Sequence, residues 1–134
     1  MKIKDNQGNI HNFPPSGYDV DFDDNRPRSE LHIRCRNLLR SLYPTQRILE
    51  EVPLPNERLF LDFFLPAQKK GIEVNGQQHY SFSQFFHSNK FEFAKAKQRD
   101  KRKRGWCEMN GITLIELKYD EDEETWIKKI KEEV

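Results

Sequence analysis

Apolar and polar residues follow one another along the chain in a pattern that changes period several times. After Ser29, a favourable N-cap, leucines recur at helical spacing from Leu31 to Leu42 until Pro44 ends the run. This pattern predicts a helix over about 29–42. Short apolar runs separated by prolines and a glycine follow, and they predict three strands at Ile48–Val52, Leu59–Leu65 and Gly71–Asn75.

The second half of the chain predicts a helix, a strand and a final helix. Lys90–Asn110 has helical composition, Gly111 ends it, and Ile112–Leu117 is typical of a closing strand. A last short helix is expected to begin near Glu123. Together the elements predict an α/β fold with a central mixed sheet of about four strands flanked by helices.

The first 28 residues differ from the rest, because they hold prolines and an acidic cluster but little periodic apolar signal. We predict an extended or partly disordered arm over 1–28 and a single domain over 29–134. The length of 134 residues is that of one ordinary domain.

Two acids stand inside apolar strands, and this is the first chemical feature of the sequence. Asp62 lies within Leu59–Leu65, and Glu73 lies within Gly71–Asn75. A four-residue hairpin turn that pairs Leu65 with Lys70 places Asp62 opposite Glu73, while Glu73 and Asn75 share one face. Two carboxylates this close either share a proton or bind a hard cation such as Mg²⁺ or Mn²⁺. The alternative is that each acid pairs with an Arg or Lys in an ordinary sheet.

Charge is distributed unevenly although the whole chain has a net charge of only +1. The segment Lys90–Arg104 holds eight cations and two anions, whereas Glu116–Val134 holds eight acids and four lysines. Clustered positive charge is typical of a phosphate-binding surface. The alternative is a solvated helix face that the acidic tail neutralises. The cations expected to bind DNA are Lys97, Arg99, Lys101, Arg102, Lys103 and Arg104.

Composition excludes several classes of protein. The chain is 35% hydrophobic and 34% charged, and it has neither an apolar run long enough for a membrane helix nor an apolar N-terminal signal. We therefore predict a cytoplasmic protein without a membrane partner. Cys35 and Cys107 lack metal-ligand spacing and are expected to be reduced core residues. The aromatic content of 12% argues against a disordered chain.

The order of these motifs resembles the PD-(D/E)xK, or restriction endonuclease-like, nuclease superfamily. The matching residues are Leu61-Asp62, Glu73-Val74-Asn75, Gly76 to His79, Arg99-Asp100 and Gly105-Trp106 with the following strand. The sequence looks most like the branch of very-short-patch repair endonucleases and related phage-type homing endonucleases. The resemblance covers about 29–117.

The resemblance implies a metal-dependent DNA endonuclease with a restriction endonuclease-like core. Asp62 and Glu73 would hold Mg²⁺ or Mn²⁺, and Asn75 stands where most members have a lysine. His79 would compensate as general base or proton donor. Glu30 and Asp100 would hold outer-sphere waters or orient His79. Their alternative roles are a helix N-terminal acid for Glu30 and an intrahelical partner of Arg104 for Asp100.

Several functional alternatives stay open from the sequence. The aromatic segment His79–His87 is read either as core or as exposed rings that stack on bases. A catalytically silent nucleic-acid-binding module on the same fold competes with the nuclease, and a protein-interaction role is a third reading. DNA is the expected partner, and a directing protein partner, nicking against double-strand cleavage and the oligomeric state are left open.

Overall fold

The computed structural model describes residues 1–75 and 90–132. Within these residues the chain forms a two-stranded sheet, a four-stranded sheet and three helices. No helix in this described part is long and apolar enough to cross a membrane. The elements in chain order are β1 (Lys2–Lys4), β2 (Ile10–Asn12), α1 (Glu30–Leu42), β3 (Leu49–Pro53), β4 (Phe60–Leu65), β5 (Lys70–Asn75), α2 (Lys90–Met109), β6 (Thr113–Lys118) and α3 (Glu123–Lys131).

The main sheet is mixed and has the strand order β3-β4-β5-β6. Strands β3, β4 and β5 form an antiparallel meander, and β6 returns parallel to β5 after α2. The predicted α/β class and the mixed four-stranded sheet are therefore confirmed. For the helices and strands that the sequence predicts, each predicted end lies within one residue of the observed end.

Local sequence signals explain where the helices begin. The Ser29 side chain accepts a hydrogen bond from the His32 backbone N–H at 3.1 Å, and Asp122 accepts one from the Thr125 N–H at 2.8 Å. Each cap satisfies one of the backbone donors that a helix N-terminus leaves unpaired. Both helices therefore begin at the residue after the cap.

The two faces of the main sheet carry separate hydrophobic clusters. Helices α1 and α3 cover one face, where Leu39 and Trp126 pack with Phe63, Ile72 and Leu117. Helix α2 and the N-terminal sheet cover the other face. Its buried residues include Phe13, Leu61, Phe64, Trp106 and Cys107. Cys35 and Cys107 are free and buried, as the sequence predicts.

The final strand is covered along its free edge by α3. The Trp126 Nε1–H donates to the Lys118 carbonyl at 3.0 Å, and the Lys129 ammonium donates to the Glu116 carbonyl at 3.0 Å. Among residues 1–75 and 90–132 no strand pairs with this side of β6, and these side chains bond its carbonyls instead. The edge is thereby protected from pairing with another chain, and the backbone of Glu116 is held in place.

The N-terminal region is more ordered than the predicted arm. Strands β1 and β2 pair antiparallel across a turn in which Gly8 has a φ of 85°. Ile3 is 2% exposed and Phe13 is 1% exposed, and the Phe13 ring contacts Phe64 and Trp106 edge to face. The hydrophobic pattern did not predict this sheet, because two strands of three residues with few apolar side chains are too short to show a periodicity.

A buried charge network joins this region to α1 and β3. Glu50 on β3 accepts hydrogen bonds from the side chains of His32 and Arg36, and Arg28 lies 3.4 Å away. The side chains of Glu50, Arg28 and Arg36 are 7%, 5% and 5% exposed. Together, these groups lower the pKa of Glu50 against the opposing effect of burial. Glu50 is therefore the buried anion that two guanidinium groups share, and Asp24 and Glu51 also pair with Arg28.

Replacing Glu50 by Gln should reduce the free energy of unfolding by roughly 3–5 kcal/mol, the usual effect of removing one partner from a buried ion pair. The amide keeps the shape of the side chain but removes the carboxylate partner of Arg36 and one of the three carboxylates beside Arg28. Urea unfolding measures the change. Glu124→Gln is the matched control, because Glu124 is 77% exposed and its pair with Lys128 lies at the surface. Equal stability of the two variants would contradict the role of Glu50.

Candidate active site

A polar cavity of about 190 Å³ lies between the main sheet and α2. Strands β4, β5 and β6 form its floor, and one face of α2 forms its wall. The side chains around it include four carboxylates and two cations, so the lining has a formal charge of −2. The lining residues are Asp62, Glu73, Val74, Asn75, Asp100, Lys103, Arg104, Leu114 and Glu116.

Asp62 lies where the strand pairing on both sides of β4 is interrupted. The pairing of β4 with β5 runs from Leu65 opposite Lys70 to Phe63 opposite Ile72. Beyond this point the Val74 N–H donates to Asp62 Oδ2 at 2.9 Å. The Asp62 carboxylate therefore takes a backbone donor of β5, and this fixes its position beside Glu73.

The strand on the other side of Asp62 is also distorted. Pairing of β3 with β4 passes from Glu50 opposite Phe63 to Val52 opposite Leu61. Glu51, between these pairs, has a φ of 51°, in the left-handed region that non-glycine residues rarely adopt. Strained backbone of this kind is concentrated at functional sites. The distortion adjoins the strand position that carries Asp62.

Glu73 is the most buried carboxylate of the cavity, with 8% of its surface exposed. Burial, the nearby Asp62 charge and a side-chain hydrogen bond with Asp62 raise the pKa of Glu73 to about 9, while Lys103 acts in the opposite direction. The two carboxylates therefore converge, as the hairpin register predicts. A pair of this kind holds an extra proton until a cation replaces it.

Lys103 reaches the cavity from α2 and contacts Glu73. Its ammonium forms an ion pair with Glu73 Oε1, although that oxygen has no hydrogen-bond partner of normal geometry. The Lys103 side chain is 16% exposed. This pairing corresponds to the alternative reading of the strand acids as ion-pair partners, and for Glu73 the structure shows that contact.

Strand β6 adds a further carboxylate that the sequence reading does not include. Glu116 pairs in register with Glu73, and Lys118 pairs with Asn75 at the end of the same two strands. Neighbouring residues of a parallel pair project to the same side of the sheet. Glu116 consequently shares the cavity with Glu73, whereas Lys118 is not among the lining residues.

The donor set fits a hard divalent cation such as Mg²⁺ or Mn²⁺. Asp62 and Glu73 supply oxygen ligands, and Glu73 Oε1 is buried without a normal hydrogen bond. The residues that the structure describes contain no group of three or more His, Cys, Asp or Glu side chains arranged to hold a metal. The two carboxylates can therefore supply only part of a coordination sphere, and the remaining ligands would come from water and a bound phosphate.

The structure brings together four of the six residues predicted to be catalytic. Asp62, Glu73, Asn75 and Asp100 line the cavity. Glu30 does not, because it is exposed in the first turn of α1, which packs on the opposite face of the sheet. That position fits its alternative role as an acid at a helix N-terminus. His79 and the aromatic segment 79–87 lie outside the described residues.

The cations of α2 are divided between the cavity and the surface. Lys97, Arg99 and Lys101 are exposed. Arg102 Nε lies 3.7 Å from Glu57 Oε2, at the turn between β3 and β4. Lys103 and Arg104 line the cavity. The six cations predicted to contact DNA therefore do not form one uniform surface.

Two sequence signals point to what was missed, namely the position of Lys103 inside the cavity and the presence of Glu116 there. Lys103 stands three and four positions before the apolar residues Trp106 and Cys107, so it shares their side of the helix. Glu116 stands between the apolar residues Ile115 and Leu117, in the same setting as the strand acids. The parallel pairing of β6 with β5, which brings Glu116 beside Glu73, has no comparable local signal.

The raised pKa of Glu73 predicts a specific pH dependence in the presence of a chelator. Between the ordinary value of 4.5 and about 9, the folded protein holds more protons than the unfolded chain, so its free energy of unfolding falls as pH rises. Glu73→Gln should be more stable than the wild type at pH 8, by a margin that shrinks toward pH 4.5. Thermal melting across this range tests it, with the exposed Glu108→Gln on α2 as control. A constant margin would contradict the raised pKa.

Comparison with known proteins finds similar chains in two invertebrate iridescent viruses and in Frog virus 3, all described as uncharacterized. The chain is 43% identical over 96 residues to protein 033L of Invertebrate iridescent virus 3, covering 68% of this chain and 50% of that protein. It is 45% identical over 64 residues to protein 307L of Invertebrate iridescent virus 6, covering 48% and 32%. It is 35% identical over 80 residues to protein 094L of Frog virus 3, covering 58% and 52%.

The chain thus spans from about a third to about half the length of these relatives. No protein-family model matches the chain. No solved structure matches it either. The residues of the cavity are therefore the main guide to its chemistry.

Proposed function

We propose that the chain is a metal-dependent DNA endonuclease that hydrolyses phosphodiester bonds. The observation that carries the proposal is the convergence of Asp62 and Glu73 in a polar cavity beside the Lys103 ammonium. Burying two close carboxylates and a cation costs free energy of folding. Clusters of this kind are concentrated at sites that bind a ligand. A divalent cation would bind the two carboxylates, and the phosphate bound to that cation would contact the Lys103 ammonium.

Each cavity residue would have a distinct role in hydrolysis. Bound Mg²⁺ or Mn²⁺ would neutralise phosphate charge and lower the pKa of a coordinated water. Asp62 and Glu73 would hold the cation, and the Val74 N–H keeps Asp62 in place. Asn75 orients water at the end of β5, Asp100 supplies outer-sphere hydrogen bonds, and the role of His79 as proton carrier stays a prediction from the sequence.

The order of elements supports a restriction endonuclease-like core. A helix precedes the antiparallel meander that carries both acids, and a helix and a parallel strand complete the sheet. This is the order expected from the sequence resemblance. The assignment to that superfamily is part of the proposal.

DNA is the substrate that fits the charges around the cavity. Helix α2 passes over the site and carries the exposed cations Lys97, Arg99 and Lys101. A helix of this charge attracts the phosphate backbone and would guide a phosphodiester toward the acids. We also keep the predictions of a cytoplasmic location and of a directing protein partner as parts of this proposal.

A catalytically silent nucleic-acid-binding module is the second candidate. The observation in its favour is that the Lys103 ammonium contacts Glu73, one of the two proposed metal ligands. Asn75, at the position where the superfamily has a lysine, points the same way. Such a module would keep the affinity of α2 for DNA and lack cleavage. A role in protein interaction, the third reading of the sequence, predicts neither activity.

Asp62→Asn and Glu73→Gln should each abolish cleavage of plasmid DNA in Mg²⁺ or Mn²⁺, because each removes one of the two proposed ligands. Both variants are expected to keep the fold, and the exposed Asp23→Asn is expected to cut like the wild type. Gel analysis of supercoiled, nicked and linear plasmid measures the rate and separates nicking from double-strand cleavage. Undiminished cleavage by either variant would show that the metal assignment is wrong.

Neutralising the exposed cations of α2 should weaken DNA binding. For Arg99→Gln combined with Lys101→Gln, we expect the slope of log K against log salt to fall by about 0.9 for each lost phosphate contact on duplex DNA. The matched control replaces Lys128 and Lys131 of α3, which covers the opposite face. Fluorescence anisotropy at several salt concentrations measures both. The same slope in both double variants would place the DNA surface elsewhere.

A further inference from the structure

We infer that Lys103 is the cationic catalytic residue of this site, with its ammonium contacting the phosphate that is cleaved. This inference rests on the proposed nuclease function and adds a residue to it. The structure places the Lys103 ammonium against Glu73 inside the cavity, not on the outer surface of α2. The sequence alone groups Lys103 with the cations that only bind the DNA backbone.

Burial separates Lys103 from the other cations of the helix. Its side chain is 16% exposed, whereas Arg104, the second cation of the cavity, is exposed. An ammonium that is partly shielded from water stabilises developing negative charge more strongly than a fully solvated one. Lys103 is therefore the cation best placed to act on the reaction itself.

The neighbouring strands explain why a cation from the helix is needed. Asn75 lies on the same face of β5 as Glu73 but has no charge. Lys118 pairs with Asn75 on β6, yet it does not line the cavity. Among the described residues, the cations that line the cavity both come from α2. The positive charge that β5 lacks beside Glu73 is thus supplied by Lys103 of α2.

The Lys103 side chain can serve both the free and the substrate-bound protein. In the free protein its ammonium contacts the buried Glu73 carboxyl group. Its four-carbon stem is flexible, so the ammonium can move from Glu73 to a phosphate oxygen without movement of the helix. The phosphate then gains a cation at the moment when negative charge builds up on its oxygens.

The test compares four single variants in single-turnover cleavage at saturating DNA and Mg²⁺. Lys103→Met should lower the rate by roughly 10²–10³, the usual effect of removing one preorganised group that stabilises developing negative charge. Lys128→Met, on the exposed side of α3 at the opposite face of the sheet, and Lys118→Met, on β6, should each stay within about threefold of the wild type. Lys103→Arg keeps the charge and should retain more activity than Lys103→Met. This comparison separates the loss of the positive charge from a loss of folded protein.

A second readout, Mn²⁺ titration without DNA, distinguishes a catalytic lysine from one that only positions Glu73. Removing the ammonium takes away a positive charge that opposes the metal, so Lys103→Met should bind Mn²⁺ with a lower Kd than the wild type. Weaker binding would overturn the inference, because it would mean that Lys103 holds the ligand in place.

The outcomes for the inference and for the proposed function are separate. Wild-type rates in Lys103→Met, with cleavage intact in the parent, would overturn the inference and leave the nuclease proposal standing. A parent protein that binds DNA but cuts none would overturn both. Loss of cleavage in Lys118→Met together with full activity in Lys103→Met would assign the cation to β6 and likewise overturn the inference.

Discussion

The hairpin that joins β4 to β5 is the constraint on which the site depends. A four-residue turn pairs Leu65 with Lys70, and this register brings Asp62 beside Glu73. A shift of one residue would move every side chain of one strand to the other face of the sheet. The apolar residues around the acids prevent such a shift, because Phe63 and Phe64 are both fully buried on opposite faces. The core therefore sets the position of the chemistry.

Much of the fold could be predicted from the sequence because the signals are local. Ser29, the prolines between strands and the apolar runs define the ends of the elements, and the turn length defines the hairpin register. The N-terminal sheet was missed for the opposite reason. Ile3 and Phe13 lie in the core through contacts with Phe64 and Trp106, which are distant in sequence. No periodic pattern within 1–28 reveals these contacts.

The site was only partly predictable for the same reason. Asp62, Glu73 and Asn75 belong to one hairpin, so their proximity follows from local geometry. Glu116 and Lys103 reach the cavity through β6 and α2, and their placement depends on a parallel strand pairing and on how the helix packs. Charge counting placed Lys103 with its basic neighbours, because counting ignores which side of a helix a residue occupies.

The proposed roles place DNA affinity and catalysis on a single element, α2, whose cations are divided between its exposed side and the cavity. Trp106 and Cys107 anchor the helix in the core and thereby turn Lys103 toward Glu73. Lys101, two residues earlier, then lies on the exposed side. The same packing that buries the tryptophan therefore separates the cation that we propose for the reaction from the exposed cations that we propose for DNA binding. Any change that rotates this helix should affect both functions together, whereas substitutions at single positions can separate them.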